Sequence, residues 1–427
     1  MKCVSRAGAA SLSHLCRLLR IYLGRGELVA VAALLIVAAC IHCTNSWASL
    51  AQRLQALLTV HHKVASSSPS LDKPHWDFKS SSAAAYALQG RRPKMEDRFV
   101  IDENIGGSGV SLYAIFDGHG GEFAANYARD NLINSLKQKV VELKKLISKG
   151  GLVGGRKALD SCGAVERRAS FKKTISVTTE AVKSGGGSGV TDPWLLQKLG
   201  ELNRPITREV SHNNDPPPPP PDIQSYLDHD CTINYGRLLT DEVLAADRLL
   251  VQAAKKTMDV AGTTALIALV EGSRLIVANV GDSRGVMCDA KGNAIPLSFD
   301  HKPQQMREQK RIKEAGGFIT FNGVWRVAGI LATSRALGDY PLKDKKLVIA
   351  DPDILTFRLD DHRPQFVVLA SDGLWDTFTN EEAIAFIRHQ LSEEPHLGAK
   401  SIALQAYSRG SLDNITVLVV QLSGNRS

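Results

Sequence analysis

Three aspartates stand where apolar runs end or begin, and each is followed by a residue that allows a sharp turn or starts the next run. Tyr113-Ala114-Ile115-Phe116 leads into Asp117-Gly118-His119-Gly120-Gly121, and Val367-Val368-Leu369-Ala370-Ser371 leads into Asp372-Gly373. Asp413-Asn414 comes immediately before the run Ile415–Gln421. A carboxylate at a strand end is presented to a cleft by a rigid sheet, and a following glycine lets a backbone carbonyl face a ligand as well. Oxygen ligands alone select hard cations, and no convergent Cys/His set accompanies these positions, so the chemistry points to Mg²⁺ or Mn²⁺ rather than Zn²⁺. Taken singly, each Asp-Gly reads more readily as a reverse turn between two strands.

The elements that would carry these residues are short β-rich runs (Val110–Phe116, Arg274–Val280, Phe366–Ala370 and Ile415–Gln421) alternating with helical patterns over residues 121–147, 241–258 and 304–315. Another helix is expected from Thr379, where Thr379 and Glu382 form a capping box ahead of the apolar residues 383–387. Hairpin contexts such as Val280-Gly281-Asp282-Ser283 favour an antiparallel α+β arrangement over a doubly wound sheet.

The chain has 427 residues, 44% hydrophobic and 22% charged, enough for a sizeable core. Its net charge of +8 is spread without a dominant basic block or nucleic-acid module, so no nucleic acid is expected as a partner. Seven scattered cysteines give no disulfide framework, and Cys40 and Cys43, though spaced as C-x-x-C, have no second pair to complete a metal site. Residues 1–27 are basic, and 28–50 carry no charge and approach the length of a membrane span. A single transmembrane anchor is expected there, with a cleaved signal peptide as the competing reading. Residues 51–72 read as a tether and 73–424 as the catalytic domain, interrupted over 150–234 by a Gly/Ser/Pro-rich insertion expected to be disordered. That insertion contains Ser170 in a basophilic kinase-like context and six consecutive prolines, Pro216 to Pro221.

In order along the chain stand Arg92-Pro93-Lys94-Met95-Glu96-Asp97, Asp117-Gly118-His119-Gly120-Gly121, Ala261-Gly262-Thr263-Thr264-Ala265, Val280-Gly281-Asp282-Ser283-Arg284, Ser334-Arg335-Ala336-Leu337-Gly338-Asp339, Ser371-Asp372-Gly373-Leu374-Trp375-Asp376 and Asp413-Asn414. This order resembles the metal-dependent type 2C serine/threonine protein phosphatases over about residues 73–421, and within them the membrane-anchored epsilon-type branch. The resemblance implies an α-β-β-α fold, an antiparallel β-sandwich flanked by helices on both faces, here preceded by the single transmembrane helix. It implies two divalent ions, Mg²⁺ or Mn²⁺, with Asp117 shared between them, Asp372 and Asp413 completing one and the Gly118 carbonyl ligating the other. Glu96 and Asp97 would order waters around the ions, and Asp282 would serve a weaker third ion together with Asp372. Arg92 is implied to bind the phosphate of the substrate and His119 to protonate the leaving serine or threonine oxygen. The family carries a flap over residues 299–325, whereas Asp339 reads as a turn residue, and Leu374 and Trp375 as core. The implied function is hydrolysis of phosphoserine and phosphothreonine in proteins and negative regulation of kinase signalling, including stress-activated pathways. The implied location is the endoplasmic reticulum membrane, with the catalytic domain cytosolic. Two other readings stay open: a tethered module that binds phosphoproteins without turning them over, and a lumenal or secreted hydrolase.

Overall fold

The branched and aromatic runs that read as strands pair into two large antiparallel sheets in the computed structural model, which describes residues 74–154 and 221–422. One sheet has six strands: β1 (His75–Lys79), β2 (Ala83–Leu88), β9 (Arg284–Cys288), β10 (Ala294–Pro296), β15 (Phe366–Ala370) and β16 (Ile415–Gln421), in the spatial order β1-β2-β16-β15-β9-β10. The other has five: β3 (Arg98–Asp102), β4 (Val110–Phe116), β7 (Ala265–Glu271), β8 (Arg274–Val280) and β14 (Asp353–Arg358), in the order β14-β8-β7-β4-β3. Two short pieces, β5 (Gly118–His119) and β13 (Leu337–Gly338), flank β6 (Gly262–Thr263) in a small third sheet.

Strand periodicity explains the layering. Tyr113 and Ile115 of β4 share one buried cluster with Val367 and Leu369 of β15 and Leu418 and Val420 of β16, which is the seam between the sheets. The alternate residues Leu112, Ala114 and Phe116 pack against α1 (Phe123–Tyr127), α2 (Ile133–Gly154) and α3 (Tyr235–Thr257). On the other outer face Phe366, Val368 and Val417 pack against α8 (Asn380–Gln390) and α9 (Ala399–Ser408). The expected helix–sheet–sheet–helix order is therefore present. Central strands are buried on both faces, so they read as continuous apolar runs rather than as alternating patterns.

The remaining helices are α4 (Met306–Glu314), α5 (Tyr340–Lys343), α6 (Leu359–His362) and α7 (Asp372–Trp375). Helix α4 and the hairpin of β11 (Ile319–Asn322) with β12 (Val324–Val327) form the segment expected as the flap, with a small core of its own around Ile312, Val327 and Leu347. The capping box of α8 is present: Thr379 Oγ1 accepts from the Glu382 backbone N–H, and the Glu382 carboxylate accepts from that of Thr379.

Both ends of the stretch 150–234, expected to be disordered, carry ordered elements. Helix α2 runs on to Gly154, and on the far side Asp222 caps a short 3₁₀ turn, Ile223–Tyr226, whose Tyr226 is fully buried. Leu227 bridges to Ile233, and Asn234 caps α3, which begins at Tyr235 rather than at Asp241. A proline run ahead of a single turn gives no periodic signal, yet one buried aromatic ring is enough to fix that turn on the core. Residues 155–220, including Ser170, lie outside the described residues. So do residues 1–73, with the basic segment, the anchor expected over 28–50 and the tether. Among the described residues no helix is long and apolar enough to cross a membrane.

Candidate metal centre and phosphate site

Pairing register places the three strand-end aspartates. Ala370 pairs with Val417 on one side and with Arg284 on the other, so the end of β15, the start of β16 and the β8–β9 turn lie at one edge of the six-stranded sheet. That edge carries Asp372 in the first turn of α7, Asp413 just ahead of β16, and Asp282. Asp117 follows β4 in the facing sheet, fixed by its backbone: its N–H donates to Thr264 Oγ1 (3.1 Å), and its carbonyl accepts from the Thr264 N–H (2.9 Å).

The loop with Arg92, Glu96 and Asp97 is clamped to this edge by Asn414. The Asn414 amide donates to the carbonyls of Gln89 (2.8 Å) and Lys94 (2.9 Å), while its oxygen accepts from the Glu96 N–H (2.8 Å). Asp97, 3% exposed, accepts from Ser371 Oγ (2.8 Å) and Thr416 Oγ1 (2.6 Å), which ties it to both central strands. Gly118 is required by close approach: a Cβ there would lie 2.5 Å from the Glu96 carbonyl oxygen.

Burial and like charge act together on these carboxyls. Burial pushes the Asp117 pKa well above its ordinary value, and Asp97, Asp372, Asp413 and Asp282 push it further. Burial raises Asp372 likewise, reinforced by Asp413 and Asp282, and the Asp97 carboxyl is pushed up to about 7, mainly by burial. Such a set stays ionised at neutral pH only beside positive charge. Two side-chain cations supply some of it. Arg92 Nη2 donates to Asp413 Oδ2 (2.5 Å), and Lys302 Nζ donates to Asp282 Oδ2 (2.5 Å). The Lys302 ammonium holds Asp282 below the usual carboxylate range although burial opposes it. Asp372 Oδ1 is buried with no hydrogen-bond partner, an acceptor left for something else.

Among the described residues no three carboxylate, imidazole or thiol side chains stand in ready-made metal-binding geometry. The donor set nevertheless fits divalent cations: all-oxygen, mutually repelling, partly orphaned, and backed by a glycine that lets the backbone close in.

His119, in β5, does not stand alone. Its Nε2 lies 2.9 and 3.0 Å from the two oxygens of Asp339, the residue that reads as a mere turn in sequence. Burial lowers the His119 pKa, but the Asp339 charge outweighs it and the net shift is upward. The pair closes over Gly262, where a Cβ would lie 2.0 Å from Asp339 Oδ2 and 2.3 Å from His119 Nε2. Asp339, Gly262, Lys302 and Asn414 are thus the site residues that sequence reading gave no role. Gly262, Asp339 and Asn414 fall inside the ordered motifs, but nothing there marks these contacts, and the left-handed backbone at Asp339 (φ 51°) is invisible without coordinates. Leu374 and Trp375 are buried beneath the site as expected, and the indole N–H donates to the Ala370 carbonyl (3.0 Å).

The family profile described as Protein phosphatase 2C matches residues 82–177 and 221–415. Protein phosphatase 1L from Bos taurus is 44% identical over 347 residues, covering 81% of this chain and 74% of that protein. Probable protein phosphatase 2C 59 from Arabidopsis thaliana is 35% identical over 339 residues, covering 79% and 78%. Among solved structures, a serine-threonine phosphatase 2C from Toxoplasma gondii superposes with a TM-score of 0.52 at 22% identity, covering 82% of this chain and 99% of that one. A sex-determining protein of C. elegans superposes with a TM-score of 0.53 at 21% identity, covering 81% and 65%. These last two likenesses concern the fold. By the matched profile and the extent of the similarity, the chain belongs to the protein phosphatase 2C family and is a protein serine/threonine phosphatase of that metal-dependent type.

Proposed function

We propose that this phosphatase hydrolyses phosphoserine and phosphothreonine in proteins at the edge where Asp117, Asp372 and Asp413 meet, with two Mg²⁺ or Mn²⁺ ions as cofactors. When bound there, two such ions would lower the pKa of a water between them and align it for attack on phosphorus. Asp117 would be shared between the ions, Asp372 and Asp413 would complete one, and the Gly118 carbonyl would serve the other. Asp282 is available to a weaker third. Glu96 and Asp97 would order the surrounding waters from the loop that Asn414 holds in place. Arg92 would bind the substrate phosphate. Its bond to Asp413 uses one N–H of a five-donor fork, and the side chain keeps 31% exposure. His119 would protonate the leaving serine or threonine oxygen. Asp339 on its Nε2 favours the protonated imidazole and leaves Nδ1 to give up the proton.

One observation carries this reading: Asp372 Oδ1 is buried without a partner, and burial together with the charges of Asp413 and Asp282 pushes the pKa of that carboxyl up. The test is phosphate release from a phosphothreonine peptide by the full chain. Chelation with EDTA should abolish it, manganese should restore it, and Asp117→Asn should show no restoration. Turnover that persists under chelation contradicts the reading, and a chain that binds the peptide without releasing phosphate is the tethered binding module instead.

We also propose that residues 28–50 anchor the chain in the endoplasmic reticulum membrane with the phosphatase domain cytosolic, acting as a negative regulator of phosphoprotein signalling. The uncharged stretch supports the anchor, and the location of phosphoprotein substrates supports the topology. Protease treatment of intact microsomes should digest the domain; protection would place it in the lumen.

A further inference from the structure

Lys302 is held in place by its neighbour. His301 is 2% exposed, its N–H donates to the Gly281 carbonyl (2.9 Å), and its Nδ1 accepts from the Gly281 N–H (3.0 Å). The His301 carbonyl in turn accepts from Thr333 Oγ1 (2.9 Å) and from the Ser334 N–H (2.8 Å) and Oγ (3.0 Å). The residue after so fixed a backbone has little freedom at its Cα, and its ammonium reaches Asp282 Oδ2 at 2.5 Å. Burial raises the Asp372 and Asp376 pKa values, and the charge of the same ammonium opposes that rise at both. Asp372 Oδ1 is the buried acceptor there with no partner. A divalent ion held by Asp282 and Asp372 would need the Asp282 oxygen that Lys302 now occupies, and it would meet a like charge at close range.

We propose that Lys302 is a tethered cation that competes with a divalent ion for Asp282, and thereby sets the affinity of an additional metal position that Asp282 would share with Asp372 beside the pair assigned to Asp117, Asp372 and Asp413. The inference rests on that metal assignment, but it makes a separate statement about this chain: weak binding at the additional position comes from an internal competitor, not from a poor set of ligands. A salt bridge with a purely structural role would leave metal affinity unchanged when it is removed.

The experiment is a calorimetric titration of the full-length, metal-stripped chain with Mn²⁺, comparing wild type with Lys302→Met, Lys302→Gln and Lys302→Arg. Both neutral variants should bind the additional ion at least about tenfold tighter, a modest yield for removing one close like charge at an effective dielectric near 20. Lys302→Arg keeps the charge and should match wild type. Adding Asp282→Asn to Lys302→Met should erase the gain. Unchanged affinity in both neutral variants, or a gain that survives Asp282→Asn, overturns the proposal while leaving the tighter pair intact. If none of the proteins binds Mn²⁺, the metal assignment itself fails and this inference falls with it.

Discussion

His119 and Asp339 lie 220 residues apart in the chain and meet because Gly262 has no side chain to keep them apart. Burial alone would lower the imidazole pKa, and the facing carboxylate reverses that. A general acid works while protonated, so in the role proposed for His119 the charge of Asp339 would extend activity to higher pH. Asp339→Asn removes the charge and lets burial dominate. The alkaline limb of the kcat/KM profile on a phosphothreonine peptide should then move to lower pH; an unmoved limb would separate Asp339 from His119 function. In the sequence His119 is legible from its place after Asp117-Gly118, whereas Asp339 reads as a turn. Nothing near either residue marks the pair, since the contact exists only once β5, β6 and β13 are side by side.

Helix α4 is tied down by Glu308, 1% exposed, whose carboxylate accepts from Arg335 (2.6 Å) and Arg311 (2.9 Å), while Arg335 also reaches Asp353 (3.1 Å). Burial would raise the Glu308 pKa, yet the two guanidinium groups prevail and pull it down to about 2. Because the folded value lies below the unfolded one, this carboxylate stabilises fully above the unfolded pKa, and the contribution is lost as pH falls toward about 2. Glu308→Gln leaves Arg335 buried and short of charge, which should cost about 3 kcal/mol or more in urea unfolding at neutral pH. The gap between variant and wild type should narrow as pH drops from about 5 toward 2, in step with that titration. A cost under about 1 kcal/mol, or a gap independent of pH, would show that the pair is not what anchors the helix. At this scale the sequence was uneven. Helix α8 could be read from its capping box, whereas the start of α3 could not, because a proline run and one 3₁₀ turn precede it and the buried Tyr226 that fixes the turn has no periodic partner.

Across the whole molecule, the sandwich serves to bring residues from Arg92 to Asp413 to one edge. The order of motifs in the sequence was enough to expect that convergence, because a carboxylate at a strand end has few directions in which to point. It was not enough to foresee the cations already there, Arg92 on Asp413 and Lys302 on Asp282, since ion pairs between distant segments depend on register and turn geometry. In the proposed centre Asp117, Asp372 and Asp413 ligate divalent metal together. The most direct measurement is anomalous diffraction at the manganese edge from crystals of the protein grown with Mn²⁺. Two peaks beside the Asp117 carboxylate, one reached by Asp372 and Asp413 and the other by the Gly118 carbonyl, are the predicted result. Manganese bound elsewhere, or no peak between these side chains, would contradict it.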